Sequence, residues 1–528
     1  MAGTSNDACD TSSAIGGGDF NGIGTAAEES FVAAGTQNGI TASASFIGAG
    51  SSNVLAGQNS FIGAGSDNDA TINGQQAFLG AGVGNTASGV SSFVGAGGTF
   101  NRSSSGNTAS AEDSFVGAGD ANTASGPGSF VGGGGYSLVG FQSSSLRNGN
   151  AASGFDSFVG AGDMNEAEGT GSFIGGGGST LTPVASSPGY LANVVIGTDS
   201  FIGAGDLNVN SGNGSFIGAG GYAIASKAVA APTAPASNQI TSNDSFIGAG
   251  DQNTIAANQG FIGSGLANRI LSGATLAAIG GGDGNVVSAT YGAIAGGEGN
   301  LASGTVASVP GGYHNIASGV ASFAAGYVAE ALTSGSFAWS DESSTTVHVR
   351  TTVPNEFVAR AAGGVYFYSN SALTSGVRLS PGAGSWGSLS DRAMKTGVVP
   401  LDDAAVLAKL AALPVSEWSY SSERGVRHVG PMAQDFYAAF RVGEDDRHIT
   451  SIDEEGVALA AIKALHAENT RLGVENAHVR ADNARMRADM LGIRRRLDTQ
   501  RATDAARFEA LERKVAALTN PVGLRRAP

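Results

Sequence analysis

Ser390 and Lys395 stand five residues apart in the stretch Leu-Ser-Asp-Arg-Ala-Met-Lys, which occupies 389–395. A serine hydroxyl is a weak nucleophile until a base takes its proton, and a lysine serves as that base only where desolvation lowers its pKa toward neutral. The pair could support acyl chemistry only in a structure that joins the two groups and keeps water from the amine. Taken by itself the stretch reads as a helix start, because Ser-Asp is a common N-cap and a lysine five residues on is usually solvated. The surroundings have to decide.

Those surroundings are two different materials. The chain holds 84 Gly in 528 residues, roughly twice the ordinary share of about 7%, and the excess lies before Ser390. Glycine does not recur every third residue, which excludes a collagen helix, and a 41% hydrophobic content is too high for simple disorder. The net charge is −16, and the only cations in the first 340 residues are Arg102, Arg147, Lys227 and Arg269. So acidic a surface repels phosphate backbones, and no nucleic-acid partner is expected. A single cysteine, Cys9, excludes an internal disulfide framework. No apolar run of about 18 residues occurs, so no integral membrane segment is expected. The N-terminal MAGTSNDACDTSS lacks the basic and apolar regions of a signal peptide, and no anchor is read.

The glycine-rich part is a repeat. Ser-Phe-Ile-Gly-Ala-Gly or a near copy begins at Ser45, Ser60, Ser92, Ser114, Ser129, Ser157, Ser172, Ser200, Ser215 and Ser245, often with an Asn soon after, as at Asn53, Asn68 and Asn253. Phenylalanines pair at fifteen residues, from Phe46 and Phe61 to Phe246 and Phe261, with 17 to 30 residues between pairs. The series continues through Ile279, Ile294, Val309, Phe323 and Phe337 at steps of fourteen or fifteen. Such a unit suits one coil with two strands of about five residues and two tight turns, where glycine and Asn or Asp supply positive φ. Stacked coils make a parallel β-solenoid, and the variable gaps read as loops projecting from it. Alternation puts Ile47 and Ala49 on one face, Phe46 and Gly48 on the other. One face fills the coil, and the other carries a ladder of about a dozen Phe, too much apolar surface for a soluble monomer. The pattern predicts an oligomer.

Residues 278–331, from Ala-Ile-Gly-Gly-Gly-Asp-Gly-Asn to Tyr-Val-Ala-Glu-Ala, resemble the head of trimeric autotransporter adhesins. Residues 14–265 resemble it more loosely, with Phe where that family usually has smaller side chains. The resemblance implies a left-handed parallel β-roll in a homotrimer that serves adhesion. That family's membrane-anchor barrel has no counterpart in this sequence.

After the repeat, 341–389 read as a small β-rich connector. Beyond Ser390, residues 402–413 have helical period and an acidic first turn, Val-Ser-Glu-Trp-Ser-Tyr and Arg-His-Val-Gly read as strands, and Pro431 opens a helix. A long helix then runs into heptads, with Leu465, Leu472, Val479, Met486 and Ile493 at d and Ile462, Asn469, Asn476, Asn483, Met490 and Leu497 at a. They predict a coiled coil in which three Asn set register and strand number. The offset run Phe508, Leu511, Val515 and Leu518 implies a stutter near 500.

These segments, in this order, resemble the intramolecular chaperone domain of endosialidase and other phage tail proteins, which assists trimer assembly and then cuts itself off. Ser390, Asp391, Arg392 and Lys395 match that family's Ser-Asp-Arg-x-x-Lys motif at the same spacing. Met394 stands where Leu is commoner there, and Pro431 where an aromatic or aliphatic residue is. The resemblance implies a single-turnover serine peptidase with Ser390 as nucleophile, Lys395 as base and a cleavage site at Leu389–Ser390. Asp391 and Arg392 would support them.

Other chemistry finds less footing. Asp120, Asp163, Asp206 and Asp251 recur after glycine turns and could line up as a cation site, although turn formation explains them as well. The histidines show no metal-ligand spacing, His428 reads as a packed strand residue, and no cofactor or metal is expected. The expected fold is mainly β. It comprises glycine-rich head repeats at 1–340, the connector at 341–389, a self-cleaving chaperone domain at 390–465 and a coiled coil at 466–520. The expected function is a homotrimeric fibre at a cell surface or on a virion, binding a host-surface glycan or protein. A glycan-degrading tailspike and a ligand-free spacer remain as alternatives. An enzyme of the first kind needs paired carboxylates beside sugar-stacking aromatics, and the first Trp is Trp339.

Overall fold

The computed structural model describes residues 3–98, 106–135, 149–178, 193–221, 237–423 and 425–519. They form two compact units, Met1–Gly363 and Gly364–Pro528.

The first unit is a parallel β-solenoid of about nineteen turns. The coil from Ser45 to Asn59 stands for the rest. Phe46–Ile47 pairs in parallel with Phe31–Val32 of the coil before and Phe61–Ile62 of the coil after, and Val54–Leu55 lies likewise between Gly39–Ile40 and Asp69–Ala70. Ile47 and Leu55 point inward and are fully buried, so each coil contributes two apolar side chains to one continuous core. The strands are two residues long rather than the expected five or so. The backbone turns too often for longer ones, with positive φ at Gly50, Ser52 and Asn59. Coil stacking also selects glycine directly, because a Cβ on Gly48 would meet the carbonyl oxygen of Gly63 at 2.3 Å.

The repeat's Asn does something other than turn the chain. The positive-φ position is the residue before it, Ser52 before Asn53 and Gln252 before Asn253, while the Asn side chains themselves are buried. Asn253 Nδ2 donates to Asn238 Oδ1 at 3.0 Å and to the Gly265 carbonyl at 2.8 Å. Its own Oδ1 accepts from the backbone and side-chain N–H of Asn268, both at 3.1 Å. The same exchange recurs from Asn21 to Asn315, except that Asn107 and Asn122 reach the Asn before them through the backbone N–H alone, so a polar ladder runs coil by coil inside the stack.

Outward from the core runs the expected Phe ladder, from Phe31 to Phe261, with ring centroids 4.6–5.8 Å apart. The series beyond it needs correcting. Ile279 pairs with Ile262 on the inward side, and the outward partner of Phe261 is Ala278. Ala293 and Ser308 follow, and Phe returns at Phe323. The longest gaps, expected as projecting loops, lie outside the described residues. On the described side, each leaves after a positive-φ glycine, Gly98, Gly135, Gly178 or Gly221, between the Phe strand and the Asn.

Parallel pairing continues past Ser340 to Phe357–Arg360. Two ionic clusters hold this end. Glu330, 5% exposed, accepts from His348 and Arg350. Burial would raise its pKa, but those hydrogen bonds and charges outweigh it and hold the carboxyl below its usual range. Arg360 spans Asp341 Oδ1 at 2.9 Å and Ser340 Oγ at 2.6 Å.

The second unit opens with a three-stranded antiparallel sheet, Val365–Tyr368, Gly376–Leu379 and Trp386–Ser388. Helix α1 (Asp403–Ala412) follows, capped by Asp402, whose side chain accepts from the Ala405 N–H. The hairpin pair Ser416–Trp418 and His428–Gly430, helix α2 (Ala433–Phe440) and the 69-residue helix α3 (Ser451–Thr519) complete it. Among its described residues only Phe436, Val457, Ala460, Ala461 and Ala464 are buried. No described helix is long and apolar enough to cross a membrane.

Removing one rung of the Asn ladder strands the polar groups on either side of it. Asn253→Ala should cost about 3 kcal/mol per chain, since each buried group left unpaired costs roughly 1–3 kcal/mol. Urea unfolding followed by circular dichroism reads the change, and an unmoved midpoint would mean the ladder adds nothing.

Candidate functional site

The stretch around Ser390 sits where the three-stranded sheet ends. Trp386–Ser388 is an edge strand on Gly376–Leu379, and the Leu389 N–H still reaches the Gly376 carbonyl at 3.3 Å. Asp391 is extended at φ −68° and ψ 132°, and its Oδ1 accepts from the Ala393 N–H at 2.9 Å. That carboxylate caps a single 3-10 turn, Arg392–Met394, closed by the Lys395 N–H donating to the Arg392 carbonyl at 3.2 Å. One such turn reverses the chain enough for residues five apart to meet. Lys395 Nζ donates to Ser390 Oγ at 2.6 Å.

So the structure brings Ser390 and Lys395 together, with Asp391 shaping the turn between them. Arg392 makes no ion pair among the described residues. All four side chains are exposed, and so are Leu389 and Met394. A hydroxyl and an amine in direct contact can pass a proton, and the carbonyl that Ser390 Oγ could attack is the one just before it. Desolvation of the amine is the element that a single chain does not supply.

The other candidates lie elsewhere. His428 stacks on the Trp418 ring at 4.8 Å, with Tyr420 edge-on at 5.5 Å. Asp120 Oδ1 accepts from the Gly98 N–H at 3.0 Å, and the carboxylates of Asp163 and Asp206 accept from Gly135 and Gly178. Burial, partly offset by those bonds, raises the pKa of Asp163 and Asp206. These carboxylates tie one coil to another. Among the described residues no group of three or more His, Cys, Asp or Glu could hold a metal ion.

Sequence reasoning gave no weight to the apolar surface beside the site. Val398, Val399 and Leu401, which follow Lys395 within six residues, are each at least 63% exposed, far more than an isolated small unit leaves in water without reason. The signal was present in the unbroken Gly-Val-Val-Pro-Leu run. On α3, the a and d residues Ile462, Leu465, Leu472, Val479, Met486 and Ile493 are likewise exposed, while Val457, Ala460, Ala461 and Ala464 are buried at the helix start.

A search against curated proteins finds no match to the chain. Residues 390–442, beginning at the serine that meets the lysine, match the family model described as the chaperone of endosialidase.

Proposed function

We propose that the chain is a tail-fibre-like protein that assembles as a homotrimer, outside the cell or on a virion, and carries its own trimerisation chaperone, removed by self-cleavage at Leu389–Ser390. The observation that carries this reading is the contact between Ser390 Oγ and Lys395 Nζ at 2.6 Å. It lies at the first residue of the chaperone-like region, behind a β-solenoid.

In this reading Ser390 Oγ attacks the Leu389 carbonyl carbon while Lys395, once desolvated, takes the hydroxyl proton. The carbon–nitrogen bond breaks, the Ser390 amine leaves with a proton, and an ester joins Leu389 to the Ser390 oxygen. Water then hydrolyses the ester, giving a Leu389 carboxylate and a free Ser390 hydroxyl. Asp391 holds the turn. Because both reacting side chains are exposed in one chain, the covering surface has to come from the other copies, so cleavage follows assembly. The exposed a and d residues of α3 support a coiled coil at 466–520, and Asn469, Asn476 and Asn483 would fix its register. The solenoid is the shaft that remains, with adhesion or host recognition as its role.

Full-length protein of 52.1 kDa should convert during expression into a shaft ending at Leu389 and a fragment starting at Ser390. Ser390→Ala should abolish conversion, Lys395→Ala should nearly do so, and Asp391→Ala should slow it less. N-terminal sequencing of the small fragment decides: any start other than Ser390, or normal processing of Ser390→Ala, sinks the mechanism.

Assembly is tested separately. Light scattering should give a trimer's mass for the Ser390→Ala protein. Phe201→Asp, which buries a charge in the ladder, should weaken the trimer by on the order of several kcal/mol. Replacing Asn469, Asn476 and Asn483 together by Ile should raise the stability of the segment 458–500 yet broaden its oligomer distribution. No change in either would mean these positions face no partner.

A further inference from the structure

The outward residues of the solenoid's two sheets change in opposite senses along the stack. On the first sheet they are Phe from Phe31 to Phe261, then Ala278, Ala293 and Ser308, then Phe323, Phe337 and Phe357. On the second sheet, the coils that carry Phe show mostly small or polar residues, such as Thr86, Thr108, Thr123 and Thr254, and nothing larger among apolar ones than Val54, Val194 and Val209. In the three coils that lack Phe, the second sheet turns to Val286, Leu301 and Ile316. Where Phe returns, it turns to Glu330 and Arg350. Only the first coil, with Ala14 and Gly22, is small on both.

Within one chain this exchange of bulk achieves nothing, because the two outward rows lie on opposite sides of the core. It matters only where the first sheet of one copy meets the second sheet of another, since packed interfaces fill to the density of protein interiors. We propose that the solenoids of neighbouring copies pack in this way, first sheet against second sheet, at the same coil level or one coil away. Phe rings of one copy cover the mostly small or polar residues of the next, among which Glu166, Gln239 and Arg269 are the long ones, and Val286, Leu301 and Ile316 fill the space over Ala278, Ala293 and Ser308. The contact joins two different faces, so it is heterologous and closes into a ring at three copies.

Area supports a second copy as the occupant. Phe31, Phe78, Phe246 and Phe261 are 36–44% exposed and the other rings of the ladder less. At about 200 Å² per aromatic side chain, the ladder offers on the order of 700 Å², close to the about 800 Å² that each partner buries in a standard stable interface. The alternative, Phe faces of three copies meeting on a common axis, leaves a void at the Ala278 to Ser308 level and gives the Val-Leu-Ile run no counterpart.

This inference rests on the trimer reading and adds which faces meet. Full-length Cys9→Ser chains carrying Ala293→Cys with Leu301→Cys, with Val286→Cys or with Ile316→Cys are treated with a short bismaleimide and run on a denaturing gel. At least one of the three pairs should give a covalent trimer, because each link joins one sheet to the next copy's other sheet. Linkage within a chain is excluded by the core between the two positions. Ala293→Cys alone should stay unlinked. A dimer band from that single variant, or no covalent trimer from any pair while light scattering still gives a trimer's mass, overturns the face assignment and leaves the trimer standing. A monomer mass for the Cys9→Ser parent sinks both.

Discussion

A coil of fifteen residues with two short strands cannot satisfy its own backbone, and everything in the first unit follows from that deficit. The strand N–H groups find their acceptors on neighbouring coils, as Phe46 finds Ser60 and Val54 finds Asn68. The buried Asn extends the same logic to side chains. Its amide offers two donors and an acceptor, the set needed to bond the Asn on either side and a turn carbonyl as well. A coil is thus stable only between two others, which is the general condition of solenoids. The ends therefore need special treatment, and at one of them Glu330 bonds Arg350 and Arg360 bonds Asp341.

The second unit solves a different problem with much less core. Five buried side chains among its described residues are too few to hold 165 residues of chain as a free-standing domain. Its apolar surface is instead turned outward, on the heptads of α3 and around Val398, Val399 and Val429. The contrast in charge points the same way. The solenoid is acidic with few cations, whereas α3 alternates Arg with Asp and Glu and pairs them along its length, as in Arg471 with Glu475 and Arg513 with Glu509. Surface pairs of this kind contribute little stability, and the apolar stripe of the long helix is left exposed in the single chain.

Much of this was legible in the sequence. The inward and outward alternation of Phe46 and Ile47 needs only a period of two, and the Phe spacing gives the coil length directly. Helix α1 was marked by Asp402 and its periodicity. Two features were not legible. Strand length was overestimated because nothing in Ser-Phe-Ile-Gly-Ala-Gly says that non-glycine residues such as Ser52 and Asn59 would also adopt positive φ. The Asn was read as a turn former because Asn commonly is one, and its burial depends on the neighbouring coils, which a local reading does not contain. The drift from Phe261 to Ile279 has the same origin, since apolar type alone does not tell an outward from an inward position. At the candidate site, the spacing of Ser390 and Lys395 was visible, but not that a single 3-10 turn capped by Asp391 would close it.

The position of the proposed cut has a thermodynamic meaning. A stack of identical coils can shift register by one coil at little local cost, because each level resembles the next. Registering three such stacks therefore needs an external reference, and a coiled coil with polar a positions is a good one. In the proposed trimer, once the solenoids were aligned, the reference would have no further use, and its exposed apolar residues would become a liability. A cut at Leu389 removes the reference while leaving the three-stranded sheet on the shaft. Loss of the reference does not unfold the stack, but it removes the route by which separated chains could find register again. On the proposed reading the assembled shaft would then be held by the slowness of its unfolding rather than by a reversible equilibrium. A self-cleaving serine that waited for desolvation would tie that loss to the completion of assembly, and the exposed Ser390–Lys395 pair of the single chain is the arrangement such a device would require.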